Sequence, residues 1–520
     1  MSSGNNQSLP EGDPRSAGGQ YQRKTGHPVI FGVGQVTHRD KIVGESMTVI
    51  DLAKLAIDAC VRDTGRDNIL EYVDLISVVG SFSEHRESPV AKICNKAGIN
   101  PALREESFIG GDNPQLFVNR AADRIAAGEI RAALIVGAEA LYRDMNFRQV
   151  LDLDSLHKRY EQDPLVVGEV RAGESPHEFL HRAFHAPRIY PLFENALRVH
   201  LNMTMAEQRE FLRGYFNGMA AAARGNPYAW FNHGDKQDNI VEPTEKNPLY
   251  NFPYTKYANP VLPVNQGAAV LMTDTKTAQK LCIPKDKWVY PRGGAEAADK
   301  WHFSERVNYH SSPVIRFTAE SALRSAGMEI GDIDFFDLYS CFPCAAIISA
   351  MEIGLPVDNL PPLTITGGLP YFGGPGNNYT LHSITHAVER LRRSPEEFGM
   401  VTGVGWFLTK HSVGIYSGTE PEKPWGREPK QMIQARIDKL ESPVLNESPR
   451  GPATVETYTV LHESADGRPW PIIVARLDNG ERCLATTEKG SELPHRMETE
   501  EFIGCRGFVT PGNGGPNIFR

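Results

Sequence analysis

The sequence predicts an α/β protein with a small all-β domain at its C-terminal end. Three observations carry this. Apolar runs of strand length alternate with helices of regular apolar spacing as far as residue 417, that plan occurs twice, and beyond Gly418 the chain turns to short strands joined by turn residues. With 520 residues the chain is too long for one ordinary core, and 40% hydrophobic with 9% aromatic residues supply several. A net charge of −9 argues against a nucleic-acid partner and leaves room for a local basic patch on a phosphate-bearing ligand. Seven scattered cysteines read as reduced thiols in a cytoplasmic protein. Residues 1–26 are polar with no apolar core and read as a disordered tail rather than a signal peptide. No apolar run reaches the length of a membrane span, and the terminal Asn517-Ile518-Phe519-Arg520 is not a peroxisomal address.

The first half is expected over 27–282. A strand at 28–34 precedes a helix at 48–61, whose Val49, Leu52, Leu55, Ala56 and Ala59 fall at helical spacing. A strand follows at 73–79. Phe108-Ile109 then enters the turn Gly110-Gly111-Asp112-Asn113-Pro114, which opens a helix at 115–127 stopped by Gly128, and 131–137 is the next strand. This alternation calls for a parallel sheet covered on both faces. Residues 141–251 break into charged helices and Pro-, Tyr- and Asn-rich loops and read as an insertion, after which 259–274 supplies a closing strand. The second half, 283–418, repeats the plan with helices at 314–327, 344–353 and 379–392 and a closing strand pair. A linker is expected over 419–443, with a helix at 430–440. The β-rich domain covers 444–520, with strands at 455–461, 472–477, 482–486 and 502–510 and a hairpin turn at Asp478-Asn479-Gly480.

The stretch Gly331 to Gly354 concentrates the chemistry. Ile333, Phe335, Phe336 and Leu338 make a buried strand and 345–353 an apolar helix, with Tyr339, Ser340, Cys341, Phe342, Pro343 and Cys344 between them. The carboxyl end of a strand facing a helix N-terminus is where ligands collect in α/β domains. A thiol there has its thiolate favoured by the helix dipole, so Cys341 and Cys344 are candidate nucleophiles, and buried small residues on the plainer reading. Tyr339 is a candidate hydrogen-bond donor or acid–base group, or a pocket-filling ring. His411, at the end of the turn Trp406 to His411, is a candidate imidazole for the same pocket or a surface histidine beside Lys410. His382 and His386 share a helix face. His177-Glu178-Phe179-Leu180-His181 fits the H-E-x-x-H zinc signature, but Pro176 and Pro187 bracket too short a helix, so a chance match is expected and no metal is assigned. Gly367-Gly368 and Gly373 to Gly376 match no phosphate-loop or dinucleotide fingerprint and read as a turn needing close backbone approach.

Two of these stretches resemble the thiolases. Ser325-Ala326-Gly327-Met328-Glu329-Ile330-Gly331-Asp332-Ile333-Asp334, leading to Tyr339-Ser340-Cys341-Phe342, is similar to the thiolase run that ends in Asn-Glu-Ala-Phe or His-Asp-Cys-Phe. Asn119 to Gly128 with Ala133 to Ala140 is similar to the helix and strand that follow the thiolase nucleophile. Asn226-Pro227-Tyr228-Ala229 resembles a piece of the family's loop domain over acyl-CoA. Residues 259–274 resemble its Asp-Gly-Ala-Ala strand, and the appended β-domain resembles that of type 1 thiolase-like proteins. The resemblance implies a thiolase fold of two similar βαβα halves with a loop insertion, plus a barrel of oligonucleotide/oligosaccharide-binding type. It also implies that four catalytic positions depart together. Gly111 stands for the nucleophilic cysteine, Tyr339 for the water-holding Asn or His, Gly374 for the histidine of Gly-His-Pro within Gly373-Gly374-Pro375, and Thr402-Gly403 for the second cysteine.

In functional terms the resemblance implies an acyl-CoA ligand, with the CoA thioester as substrate and no cofactor, in an acyltransferase-class protein of lipid metabolism. A homodimer and a protein partner for the β-domain are implied with it. Tyr339, Cys341, Cys344 and His411 are then the expected catalytic residues, and Gly111, Asp112, Asn113, Gly373 and Gly374 the expected substrate-binding ones. Two alternatives stay open beside acyl transfer: retro-aldol cleavage of a β-hydroxyacyl-CoA through Tyr339, and acyl-CoA binding without turnover.

Overall fold

The computed structural model describes residues 26–39, 47–84, 87–142, 158–160, 165–232, 240–462 and 467–520; the expected tail, apart from Gly26, lies outside them. The first sheet is built from β1 (Pro28–Thr37), β2 (Leu75–Val78), β3 (Leu103–Ser107), β4 (Ala132–Ala140) and β5 (Val166–Val167). The insertion contributes a hairpin, β6 (Leu249–Asn251) and β7 (Tyr254–Thr255), before β8 (Asn265–Asp274) returns to the first sheet, whose order is β1-β8-β4-β2-β3-β5. The sheet is mixed rather than parallel. β8 runs antiparallel to both β1 and β4, because it arrives from the insertion and not through a right-handed helical crossover. Strand β3 escapes a hydrophobicity pattern, since Glu105 and Glu106 are both buried in it. Ser77 donates to Glu105 at 2.6 Å, and Glu106 is met by Ser88 at 2.6 Å, Tyr160 at 3.1 Å and Arg159.

The second sheet has β9 (Tyr290–Ala298), β10 (Phe335–Asp337), β11 (Phe398–Gly405) and β12 (Lys410–Ser417) in the order β10-β11-β12-β9. Read from β9, this is the order β1-β8-β4-β2 again, so the duplication expected from the sequence is present in the strand arrangement. Helix α1 (Val49–Thr64) covers the outer face of the first sheet. Helices α2 (Asn113–Ala126) and α3 (Tyr379–Arg393) pack against both sheets and form the layer between them. Outside the second sheet lie α4 (Pro313–Ala326) and, beside it, α5 (Pro343–Glu352). The result is five layers, with the N-termini of the two central helices brought together.

Beyond the second half, the stretch expected as a linker is bound down along its length. Trp425 donates to Asp123 at 2.8 Å, Arg427 pairs with Asp123 and Glu296, and the helix Lys430–Asp438 buries Ile433 and Ile437. Strands β13 (Gly451–Leu461), β14 (Trp470–Leu477), β15 (Arg482–Thr487), β16 (Arg506–Thr510) and β17 (Ile518–Phe519) then close a five-stranded barrel in the order β13-β14-β15-β17-β16 and back to β13. Closure leaves no open edge among these five.

The barrel is not a separate bead. Leu461, Ile472, Val474 and Leu484 belong to the same apolar core as Phe342 and Ile347, and β13 pairs with β6 of the insertion at Leu461 and Asn251. Arg482 is wholly buried. It donates to Glu456 at 2.6 Å, to the carbonyls of Ser304 (3.1 Å) and Arg306 in the second half, and lies 4.8 Å from the Tyr309 ring centroid. The H-E-x-x-H match is part of the same joint. Glu178 accepts from the Ser304 amide at 2.8 Å, and His181 accepts from the Asn517 amide at 3.1 Å; among the described residues no group of three metal-binding side chains gathers. Removing Arg482 leaves buried acceptors unpaired, so Arg482→Ala is expected to lower unfolding stability by about 3 kcal/mol or more. Arg506→Ala, at an exposed position of the same barrel, is expected to stay within about 0.5 kcal/mol in the same urea titration.

Candidate functional site

The site is where the end of β10 meets the start of α2. Asp337, the last residue of β10, is wholly buried and gathers donors from Ile365 (2.9 Å), Thr366 (3.0 Å) and Ser383 (2.7 Å), which fixes where the strand stops. Two residues on, the Tyr339 amide donates to Thr402 Oγ1 at 2.9 Å and its ring stands edge-on to Tyr379 at 5.6 Å. Opposite, Gly110 and Gly111 form the turn into α2. Asn377 accepts from the Gly110 amide at 2.9 Å, Thr380 donates to the Gly111 carbonyl at 2.7 Å, and Asn113 folds back on the Phe108 carbonyl at 2.5 Å.

These two pieces share one volume. A β-carbon built on Gly111 would lie 2.6 Å from Tyr339 Cζ, closer still to the hydroxyl oxygen, and 2.7 Å from the Val404 carbonyl. The phenol therefore occupies the space into which a side chain at 111 would project. Gly111 and Tyr339, matched to the nucleophile and to the water-holding residue by resemblance alone, are thus in contact. Tyr339 is 6% exposed, and burial, then the neighbouring Cys341, Tyr379 and Asp112, push its phenol well above its ordinary range. At neutral pH it is a donor, not a base.

The two thiols are close by in sequence but differently employed. Cys341 is buried and pushed up to about 12 by desolvation, which outweighs the hydrogen bond from Tyr190. Cys344 donates to the Tyr190 carbonyl at 3.5 Å and accepts from Tyr254 at 3.5 Å. Burial first, and then Glu194, raise it well above a free thiol. A helix N-terminus contributes about 0.3–1 kcal/mol, up to about 2 kcal/mol where partly buried, and desolvation of these fully buried thiols outweighs it, so both are held above the range of a free thiol. His411 does not face this cluster. It lies on β12 with Nδ1 2.7 Å from Thr318 Oγ1 of the outer helix α4, and burial takes it down to about 3, a neutral core histidine. Gly373 and Gly374 meet the start of β8 and the segment before it instead. A β-carbon on Gly373 would press on Gln266 at 2.6 Å, while one on Gly374 would find its nearest neighbour at 3.5 Å. The backbone at Gly373 has φ +110°, which strains any residue with a β-carbon, while Gly374 carries no such constraint.

One residue of the site went unread in the sequence. Lys410 directs its amine at the α2 turn, 3.2 Å from Asp112 and 2.6 Å from the Ile109 carbonyl. Strand alternation is the signal that separates it from His411, since neighbours on β12 face opposite layers. Nothing in the sequence pairs it with an aspartate about 300 residues away.

Residues 432–513 match the family model of the thiolase-like protein type 1 additional C-terminal domain. The chain is similar to a solved monomeric SCP2-thiolase-like protein type 1 from Mycobacterium smegmatis, at 32% identity over 95% of this chain and 98% of that one, with a TM-score of 0.81. An Ltp2-ChsH2(DUF35) aldolase is similar in fold at 17% identity and a TM-score of 0.56, over 76% of this chain and 98% of that one. An acetyl-CoA acetyltransferase of Methanocaldococcus jannaschii is 27% identical over 92 residues, which is 18% of this chain and 24% of the length of that relative.

Two outcomes are expected of this geometry. Gly111→Ala is expected to destabilise by about 1–3 kcal/mol through overpacking, and the penalty should shrink in a Tyr339→Ala background to the part owed to the Val404 carbonyl, a coupling read from urea unfolding of the four proteins. In the native protein an alkylating reagent should label the exposed Cys282 rapidly and leave Cys341 and Cys344 untouched, as located by peptide mass spectrometry.

Proposed function

The chain belongs to the type 1 thiolase-like proteins, and from that premise we propose that it binds an acyl-CoA thioester at the start of α2 and acts on it without an enzyme thiol. The observation that carries this reading is the Tyr339 hydroxyl standing where a side chain at Gly111 would project, Gly111 being the position that the resemblance matches to the thiolase nucleophile. A neutral phenol beside the positive end of a helix suits a thioester oxygen as it gains negative charge. Acyl transfer needs a thiolate, and the buried thiols Cys341 and Cys344 are poor ones. Retro-aldol cleavage of a β-hydroxyacyl-CoA needs no nucleophile, only stabilisation of the enolate and removal of one proton. It is the reaction we assign.

The barrel supports this reading as a domain carried in the same chain and packed into the core that holds Phe342. Pairing of two copies is not part of the proposal. β5 covers the outer edge of β3, and the similar protein from M. smegmatis is described as monomeric. A cytoplasmic location is proposed with it; no helix among the described residues is long and apolar enough to cross a membrane.

The test is calorimetric titration of the full chain with CoA, acetyl-CoA and a longer acyl-CoA. Micromolar binding is expected, weakened about threefold to tenfold by Tyr339→Phe as one hydrogen bond is lost. Failure of every CoA species to bind overturns the proposal.

A further inference from the structure

The proposed cleavage leaves one role unassigned, the acceptor of the β-hydroxyl proton. Resting on that reading, we propose that Asp112 is this base and that Lys410 is the residue that positions its carboxylate.

The pair lies in the turn against two glycines. Asp112 is 5% exposed, its Oδ1 takes no hydrogen bond among the described residues, and its partner is the Lys410 amine at 3.2 Å. A β-carbon on Gly110 would overlap Asp112 Oδ1 and come within 2.8 Å of Lys410 Cε. One on Gly405 would come within 2.6 Å of the same carbon and 3.2 Å of Asp112 Cγ. Two glycines thus clear the space for one ion pair. The Asp112 backbone is held by Ser412, which donates to its carbonyl at 2.6 Å, and the Lys410 amine is held by the Ile109 carbonyl at 2.6 Å. A buried pair of this kind contributes little to stability beside apolar residues of the same volume, so the fold does not account for it. Its position does, since the Asp112 carboxylate lies against Gly110 and Gly405 while the Tyr339 hydroxyl lies against Gly111, which places an acceptor and a donor at successive residues of one turn.

The step balances without a co-reactant. Asp112 takes the proton of the substrate's β-hydroxyl, and that oxygen becomes a carbonyl as the Cα–Cβ bond breaks. The electron pair passes to Cα and the thioester oxygen, an enolate that receives the Tyr339 hydrogen bond. The proton on Asp112 returns to Cα, giving an aldehyde or ketone and the shortened acyl-CoA. A β-hydroxy and not a β-keto thioester is the substrate class, because only the former offers an O–H to the base.

Kinetics of carbonyl release from a series of β-hydroxyacyl-CoA thioesters by the full chain, with calorimetry of the same thioesters, provide the test. Asp112→Asn is expected to lower kcat by about 100-fold or more while leaving thioester affinity within about threefold. Lys410→Met should fall about tenfold or more, and Lys410→Arg should recover much of the loss, which a role in folding alone does not predict. An Asn variant that turns over within about threefold of the parent overturns the assignment. So do equal rates for the two Lys410 variants, which carry the test if the Asn variant does not fold. A parent that binds acyl-CoA but releases no carbonyl product removes the role of Asp112 and leaves the binding site standing, whereas a parent that binds no thioester removes both.

Discussion

A tyrosine ring and the glycine opposite it occupy a single volume, and much of the site is arranged to keep it that way. The ring can lie across the start of α2 only because residue 111 has no side chain, and residue 111 tolerates none because the ring and the Val404 carbonyl are there. Asp337 fixes the end of β10 with five hydrogen-bonding contacts to 364–366 and Ser383, Thr402 holds the Tyr339 amide, and Tyr379 backs the ring. Each of these residues comes from a different part of the second half. The position of the phenol is thus a property of the fold and not of one loop.

Low polarity decides the electrostatics of this region. Burial suppresses the charged forms of Tyr339, Cys341, Cys344 and His411 alike, and the nearby helix N-termini are too weak to reverse it. Beside them the Lys410 amine and the Asp112 carboxylate face each other at 3.2 Å, with 12% and 7% side-chain exposure. The barrel and the insertion contribute from outside by closing the apolar core around Phe342, with Arg482 joining the barrel to the second half through backbone carbonyls. The appended domain therefore acts on the dielectric of the site as well as on the stability of the chain.

The large architecture was legible in the sequence because it is written in local patterns. Alternating strand and helix lengths gave the two halves, and Asp478-Asn479-Gly480 marked the hairpin between β14 and β15. What was not legible depended on partners remote in sequence. Glu105 and Glu106 hid β3 until Ser77, Ser88, Arg159 and Tyr160 were seen to satisfy them. β17 is two residues long and exists because β15 and β16 flank it. Within the site, Gly111 and Tyr339 were each singled out by matching motifs to a family, their contact shows only in the structure, and Lys410 was passed over beside a more conspicuous histidine. A lysine at a strand start looks like a surface residue until the aspartate it meets is known.

The central claim is that this chain handles an acyl-CoA thioester without ever holding the acyl group on a cysteine. Intact-mass analysis of the full chain, quenched in acid after incubation with acetyl-CoA and with a longer acyl-CoA, tests it most directly. The account predicts an unchanged protein mass under conditions where calorimetry registers bound thioester. An acyl adduct of stoichiometric size that maps to Cys341 or Cys344 would contradict it, and would return the protein to the thiol chemistry of ordinary thiolases.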